Sequence, residues 1–200
     1  MIILLDPETR SCSGRFSHHR ESSLDVKNLD VSTYKNGDTI PEVEYNDDWQ
    51  NLTTGAWCYY LNDEEEGERY GKLYNWHAVT DIRGLAPEGF SIPNEEDINQ
   101  LYNSLCNNTK NCGGGLKSKS TLWSSPNTGA TNKTGFNALP GGFRGQSGEF
   151  SSIGKSAVFW TSFQGNDNVA QVIKLVYDSD LFERDFELKG SAFSVRCIKK

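Results

Sequence analysis

Turn-forming residues interrupt this 200-residue chain every few positions, and that spacing limits it to short elements. Glycine alone occurs 19 times, with asparagine, aspartate and serine recurring between. Each favours a turn for its own reason: glycine reaches positive φ without strain, while short polar side chains hydrogen-bond to nearby backbone. Many short strands joined by loops, with few helices, follow from such a pattern. The apolar residues agree with it. One Met and few Leu-rich runs accompany five Trp, eight Tyr and ten Phe, so the core is expected to be built from large rings. The length suits one well-buried domain and is short for two.

A formal charge of −7 argues against a nucleic-acid partner, which requires clustered Lys and Arg. The most concentrated charge is instead acidic, at Asp63 to Glu66. No run is long and apolar enough to insert into a membrane, and Ile2 to Leu5 is too short for the core of an export signal. The five cysteines, Cys12, Cys58, Cys106, Cys112 and Cys197, lack CxxC spacing and nearby histidines, which disfavours zinc. Cys106 and Cys112 are close enough in sequence to pair across a short loop; the other reading leaves all five as buried or free thiols.

Residues 1–23 show neither helical nor strand period and read as an irregular N-terminal arm, with His18 and His19 as a solvated pair. The body, 24–200, begins near Leu24. Asn36-Gly37 signals a turn, and Thr53 to Tyr60 is strand-like. The acidic run from Asp63 to Glu68 is expected to be a solvated loop; a calcium loop needs oxygens at defined spacing, which a continuous run does not supply. Tyr70, Leu73, Tyr74 and His77 share one helical face and predict a helix from Tyr70 to Val79, with a strand at Tyr74 to Trp76 as the alternative. His77 on that apolar face reads as a hydrogen-bonded core histidine. The clearest helix follows Pro93: Asn94 caps it, acids fill its first turn, and Ile98, Leu101, Tyr102 and Leu105 form its stripe as far as Cys106. Residues 113–134 read as loop around a buried Trp123, and strands are expected at Ala157 to Ser162, Val169 to Tyr177 and Phe193 to Ile198.

Several phrases are distinctive in combination. Asn28-Leu29-Asp30-Val31 precedes Tyr34-Lys35-Asn36-Gly37-Asp38, and Thr53-Thr54-Gly55-Ala56-Trp57-Cys58 follows. Tyr70-Gly71-Lys72-Leu73-Tyr74-Asn75-Trp76 leads to Pro87-Glu88-Gly89-Phe90-Ser91-Ile92-Pro93, then to Gly135-Phe136-Asn137-Ala138-Leu139-Pro140-Gly141-Gly142-Phe143-Arg144, and the chain closes on Phe193-Ser194-Val195-Arg196-Cys197. In this order, over residues 24–198, they closely resemble the Fibrobacter succinogenes major paralogous domain, a family of bacterial surface proteins and phages. The resemblance implies an α+β, C-type-lectin-like fold of the formylglycine-generating-enzyme branch, with small twisted antiparallel sheets, two helices, long loops, and N- and C-terminal parts lying together. Ile98 and Phe90 stand where that branch more often has Trp.

The oxidase chemistry of that branch needs two neighbouring cysteines late in the chain, and only Cys197 is late, so no enzymatic activity is expected. No Gly-x-Ser-x-Gly turn presents a nucleophile either. Ser125-Pro126-Asn127 and Trp160-Thr161-Ser162 lack the carboxylates of calcium-dependent sugar binding, so neither metal nor cofactor is expected. What remains is a non-catalytic ligand- or receptor-binding domain, an adhesin or phage receptor-binding module on a cell surface or particle. Its expected partner is a surface glycan or protein receptor, in a chain able to self-associate within a fibre; a decoration or capping domain is the alternative. The resemblance points to Phe163 to Leu188, a region some proteins of this fold vary through diversity-generating retroelements. Its candidate ligand-binding residues are Gln164, Asn166, Asp167, Asn168, Gln171, Lys174, Tyr177, Asp178, Asp180, Phe182, Glu183, Asp185, Phe186 and Glu187. Rings for contact area and short polar side chains for adaptable hydrogen bonds are the mixture paratopes use. Tyr177, Phe182 and Phe186 should then be exposed while Trp160, Leu175 and Val195 are buried. Trp57, Trp76, Trp123 and Trp160 read as core rather than sugar platforms, and Arg144 and Arg196 as sources of buried hydrogen bonds and ion pairs.

Overall fold

The computed structural model describes residues 27–107 and 109–199; the N-terminal arm, with His18, His19 and Cys12, lies outside them. In chain order the elements are α1 (Asn46–Gln50), β1 (Trp57–Cys58), α2 (Glu64–Tyr70), β2 (Leu73–Asn75), α3 (Trp76–Val79), β3 (Phe90–Ser91) and α4 (Glu95–Cys106). They continue with β4 (Gly141–Arg144), β5 (Phe150–Ile153), β6 (Ser156–Gln164), β7 (Val169–Val176), β8 (Glu183–Leu188), β9 (Ala192–Phe193) and β10 (Ile198–Lys199). The class is α+β, with strands in excess. Among the described residues only α4 exceeds two turns, so one long helix stands where two were expected. The sheet is also larger than expected: eight strands in the order β1-β2-β9-β4-β6-β7-β8 with β5 on β4, plus a separate β10–β3 pair. Between the named strands of the described residues pairing is antiparallel except for one parallel contact, Gly142 with Ala157, that joins the two halves of the large sheet; isolated parallel bridges at Glu42–Trp57, Lys117–Ala138 and Phe159–Ser194 add to it.

The helix expected from Tyr70 to Val79 is broken by its own residues. Gly71 sits at φ +76°, which ends α2, and Tyr74 then pairs with Trp57 on one side and Phe193 on the other. Asn75 restarts the chain as a cap: its Oδ1 accepts from the Ala78 N–H at 3.0 Å and from Ala56 at 3.0 Å. The apolar period there records two buried elements in succession. The acidic run is helix rather than loop, because Asp63 accepts the N–H of Glu65 at 2.8 Å and three glutamates then occupy the first turn. Carboxylates at a helix N-terminus meet the positive end of its dipole. Within α2, Gly67 lies against the Tyr59 ring so closely that a Cβ would come within 2.4 Å of it. α4 matches its sequence signals, down to a reciprocal cap between Asn94 and Asp97.

Strands β6 and β7 are buried on both faces. Val158, Trp160, Ala170 and Val172 pack toward Trp57, Tyr74, Trp76 and Phe193. The alternate residues Ala157, Phe159, Ile173 and Leu175 pack toward Ile98, Leu105, Leu116 and Trp123. A third cluster gathers Trp49, Cys58, Tyr60 and Leu73. The two ends of the described chain meet: Leu29 N–H donates to Val195 O at 2.9 Å, and Asn28 reaches Ser194 and Arg196. Cys106 and Cys112 form the disulfide that their spacing suggested, closing the loop after α4.

Arg144 is fully buried. Its guanidinium donates to Val43 O at 2.6 Å, Glu44 O at 2.7 Å, Gly148 O at 3.0 Å and Asn46 Oδ1 at 2.9 Å, between the rings of Trp49 and Phe150. Arg196 is likewise buried, donating to Asn28 Oδ1 at 2.6 Å and Asn137 O at 3.3 Å. Among the described residues neither makes the ion pair expected of it; carbonyl and amide oxygens take that place. Arg144→Ala should therefore lower the unfolding free energy by about 3–5 kcal/mol, since it strands several buried acceptors at once. Arg144→Lys should recover little, because an ammonium cannot span the fork. A urea melt of the three proteins checks both.

Candidate functional site

The segment from Phe163 to Leu188 folds as a hairpin at one edge of the large sheet. β6 ends at Gln164, and a turn follows in which Asn166 Oδ1 accepts the N–H groups of Asn168 at 2.8 Å and Val169 at 3.1 Å. β7 then pairs with β8 in the register Val169–Leu188, Gln171–Phe186 and Ile173–Arg184 on one face, and Ala170–Glu187, Val172–Asp185 and Lys174–Glu183 on the other. The strand at β8 was missed in the sequence. Its signal was present as strict alternation, with acids at 183, 185 and 187 and Arg184, Phe186 and Leu188 between.

This register divides the fourteen candidate residues. Gln164, Asn166, Asp167, Asn168, Asp178, Asp185 and Phe186 are exposed, and Lys174, Tyr177, Asp180, Glu183 and Glu187 are half-buried. Gln171 and Phe182 are buried and Tyr177 packs half-buried on the second cluster, which corrects the expectation that Phe182 and Tyr177 are exposed. The reason is packing: Phe182 enters the second cluster and meets the edge of Tyr102 at 5.5 Å, while Gln171 Oε1 accepts from Thr161 Oγ1 at 3.4 Å in the interior. Trp160, Leu175 and Val195 are buried as expected. Asp180 serves the scaffold, accepting the Gly114 N–H at 2.6 Å. The remaining candidates separate to opposite ends of the hairpin, about 20 Å apart at the rise of a strand. At the turn end, Gln164, Asn166, Asp167, Asn168 and Phe186 are all exposed.

There the edge is built to hold a ring in water. Phe186, 47% exposed, lies over Gly165, where a Cβ would come within 2.5 Å of it, and its flank meets Phe163 at 6.3 Å between centroids. Leu188 continues the apolar strip on the same face at 46% exposure, and Leu181 is exposed at the far end. Arg184, in line with them, is braced by Asn99 Oδ1 at 2.6 Å and stacks on Tyr102 at 4.8 Å. The opposite face carries Asp185 and Glu187; burial, then Asp185, pushes the Glu187 carboxyl above its ordinary range, with Lys174 acting against them. The Phe186 N–H is taken by its neighbour Asp185 at 2.8 Å.

The other expected features fall as follows. Trp57, Trp76, Trp123 and Trp160 are buried, as is Trp49. His77 is half-buried and, unlike the hydrogen-bonded core histidine expected, makes no side-chain hydrogen bond among the described residues; burial and the Lys189 ammonium both hold its pKa down. Cys58 is enclosed, and burial pushes its thiol up to about 12. Among the described residues, no three His, Cys, Asp or Glu side chains are placed to hold a metal ion, and no helix is long and apolar enough to cross a membrane.

A family model, the Fibrobacter succinogenes major domain, matches residues 26–199. Among curated proteins and solved structures, none matches.

Two outcomes follow from this geometry. Phe182→Ala should cost about 3–4 kcal/mol as a packed ring is removed, while Phe186→Ser should cost under about 1 kcal/mol, both read by chemical denaturation. Cys58, protonated at neutral pH and enclosed, should resist alkylation by iodoacetamide in the native domain and react only on unfolding, as mass spectrometry would report.

Proposed function

The chain belongs to the Fibrobacter succinogenes major domain family, and within it we propose a non-catalytic binding domain of C-type-lectin-like fold that recognises a surface receptor through the β8 edge. The receptor is a glycan or protein, met on the outside of a bacterial cell or phage particle. The observation that carries the reading is the exposed strip of Phe186 and Leu188 on a braced edge strand. An exposed ring and an exposed leucine side by side on one strand face mark a contact surface. Phe186 is held from below by the glycine at 165 and from the side by Phe163, so little freedom is lost when a partner covers it. The charges flanking the strip, Asp167, Asp185 and Arg184, supply the polar rim that gives such a contact its specificity. The lectin-like reading is supported by the meeting of the chain's two ends at Leu29 and Val195 and by one long helix set against a loop-rich sheet.

The test uses fluorescently labelled domain on a glycan array and on a panel of bacterial cells. The wild type should label a defined subset, and Phe186→Ser/Leu188→Ser should label none of it while keeping its melting temperature within about 2 °C. An unchanged labelling pattern in the double variant would move recognition elsewhere, and a wild type that labels nothing on either support would remove the reading.

A further inference from the structure

A concavity elsewhere on the domain shares no residue with the β8 edge. It is a cleft of about 520 Å³ at the other loops of the domain, within the size range of small-ligand sites. Three cations line it: Lys27, Arg69 at the end of α2, and Lys119. Their convergence runs against the bulk of a chain in which 27 acids outnumber 20 bases. Arg69 is pinned by Glu66 at 2.8 Å, whereas Lys27 and Lys119 form no ion pair among the described residues. Both are exposed.

The rest of the lining is polar and held in place. Thr131 and Asn132 sit on a loop whose N–H groups are tied to Gly114 O at 2.8 and 3.4 Å, and Asn132 Oδ1 accepts the Asn137 N–H at 2.7 Å. Asn132 and Asn137 both adopt positive φ, +51° and +53°, a conformation that asparagine takes readily and that fixes the course of this loop. Ser120 adds a hydroxyl to the lining, 3.0 Å from that of the buried Ser118. Leu139 is the apolar contribution, and no aromatic ring is among the described lining residues.

That lining selects a class of occupant. Cations in the lining favour anionic groups. Hydroxyls and amides along the walls suit a ligand rich in hydroxyls. Without a ring to stack on, a nucleobase or other flat aromatic gains little. The volume is several times what a bare inorganic anion fills. We propose that the cleft binds an acidic oligosaccharide, a short sugar chain bearing carboxylate or sulfate groups, independently of the β8 edge.

The experiment titrates the full chain by calorimetry, in low salt and in about 0.5 M salt, with four probes: trigalacturonate, a sulfated heparin tetrasaccharide, neutral maltotetraose and a tetraglutamate peptide. At least one acidic sugar should bind, more weakly at high salt because exposed charges are screened within a few Å there. Which of the two binds tells carboxylate from sulfate. Lys27→Glu/Lys119→Glu should weaken that binding by about tenfold or more at unchanged melting temperature, reversing two exposed charges. Phe186→Ser/Leu188→Ser should bind the sugar as the wild type does. The proposal fails if neither acidic sugar binds, if maltotetraose or tetraglutamate binds as tightly, or if the charge-reversed variant is unaffected. Loss of sugar binding in the Phe186/Leu188 variant would place the sugar on the β8 edge instead.

Discussion

Burial of β6 and β7 on both faces dictates where the remaining elements can go. Side chains alternate along a strand, so Val158 and Trp160 point to one side while Ala157 and Phe159 point to the other. Each side needs its own cover. α4 and the loops through Leu116, Trp123 and Phe136 cover one; the short strands β1, β2 and β9 and the first described residues cover the other. The first described residues and Phe193 to Cys197 therefore have to meet over the same face, which is why Leu29 bonds to Val195 despite their separation in sequence.

Covering two faces mainly with loops leaves many backbone carbonyls without ladder partners, and unpaired buried carbonyls are costly. Large side chains supply the donors. All five indoles give their N–H to a carbonyl of a distant segment: Trp49 to Gly190, Trp57 to Ile40, Trp76 to Thr161, Trp123 to Ala138 and Trp160 to Tyr74. Buried cations do the same with more reach. Arg144 ties the loop at Val43 and Glu44 to β4, and Lys117 holds Val176 O and Ser179 O at 3.0 and 2.8 Å over the ring of Trp123. For Arg196, burial lowers the pKa to about 9, so the guanidinium stays charged at neutral pH, resting against Phe136 and Phe159. Rings and cations thus act as one set of fasteners, joining segments that share no ladder.

Those fasteners explain what could be read from the sequence. A ring-built core, buried tryptophans, α4 with its cap, the Asn36-Gly37 turn and the Cys106–Cys112 pair all have local signals, and the structure contains them. Where partners are distant the signal misleads. The period at Tyr70, Leu73, Tyr74 and His77 is genuine burial, but sheet pairing with Trp57 and Phe193 decides its geometry. Arg144 and Arg196 were legible as buried, yet their acceptors are carbonyls that no composition announces. In the candidate site, the exposed turn at Gln164 to Asn168 was legible from its polar residues. The burial of Phe182 was not, because it depends on Tyr102 of α4, far away in sequence.

The edge strand shows how the same sheet can end safely and still present a surface. Lys189 N–H bonds inward to Asn168 O, so alternation turns the backbone of Leu188, Phe186 and Arg184 outward. An open row of such groups invites pairing with another chain. Asp185 occupies the Phe186 N–H, and acids at 183, 185 and 187 crowd one face, so a second copy of this strand would bring like charges together. With strand addition by another copy opposed in this way, what the edge offers is its side chains. The turn and the outer half of β8 contribute little to either buried cluster, so substitutions there leave the fasteners of the core untouched. Side chains there can change without the fold changing.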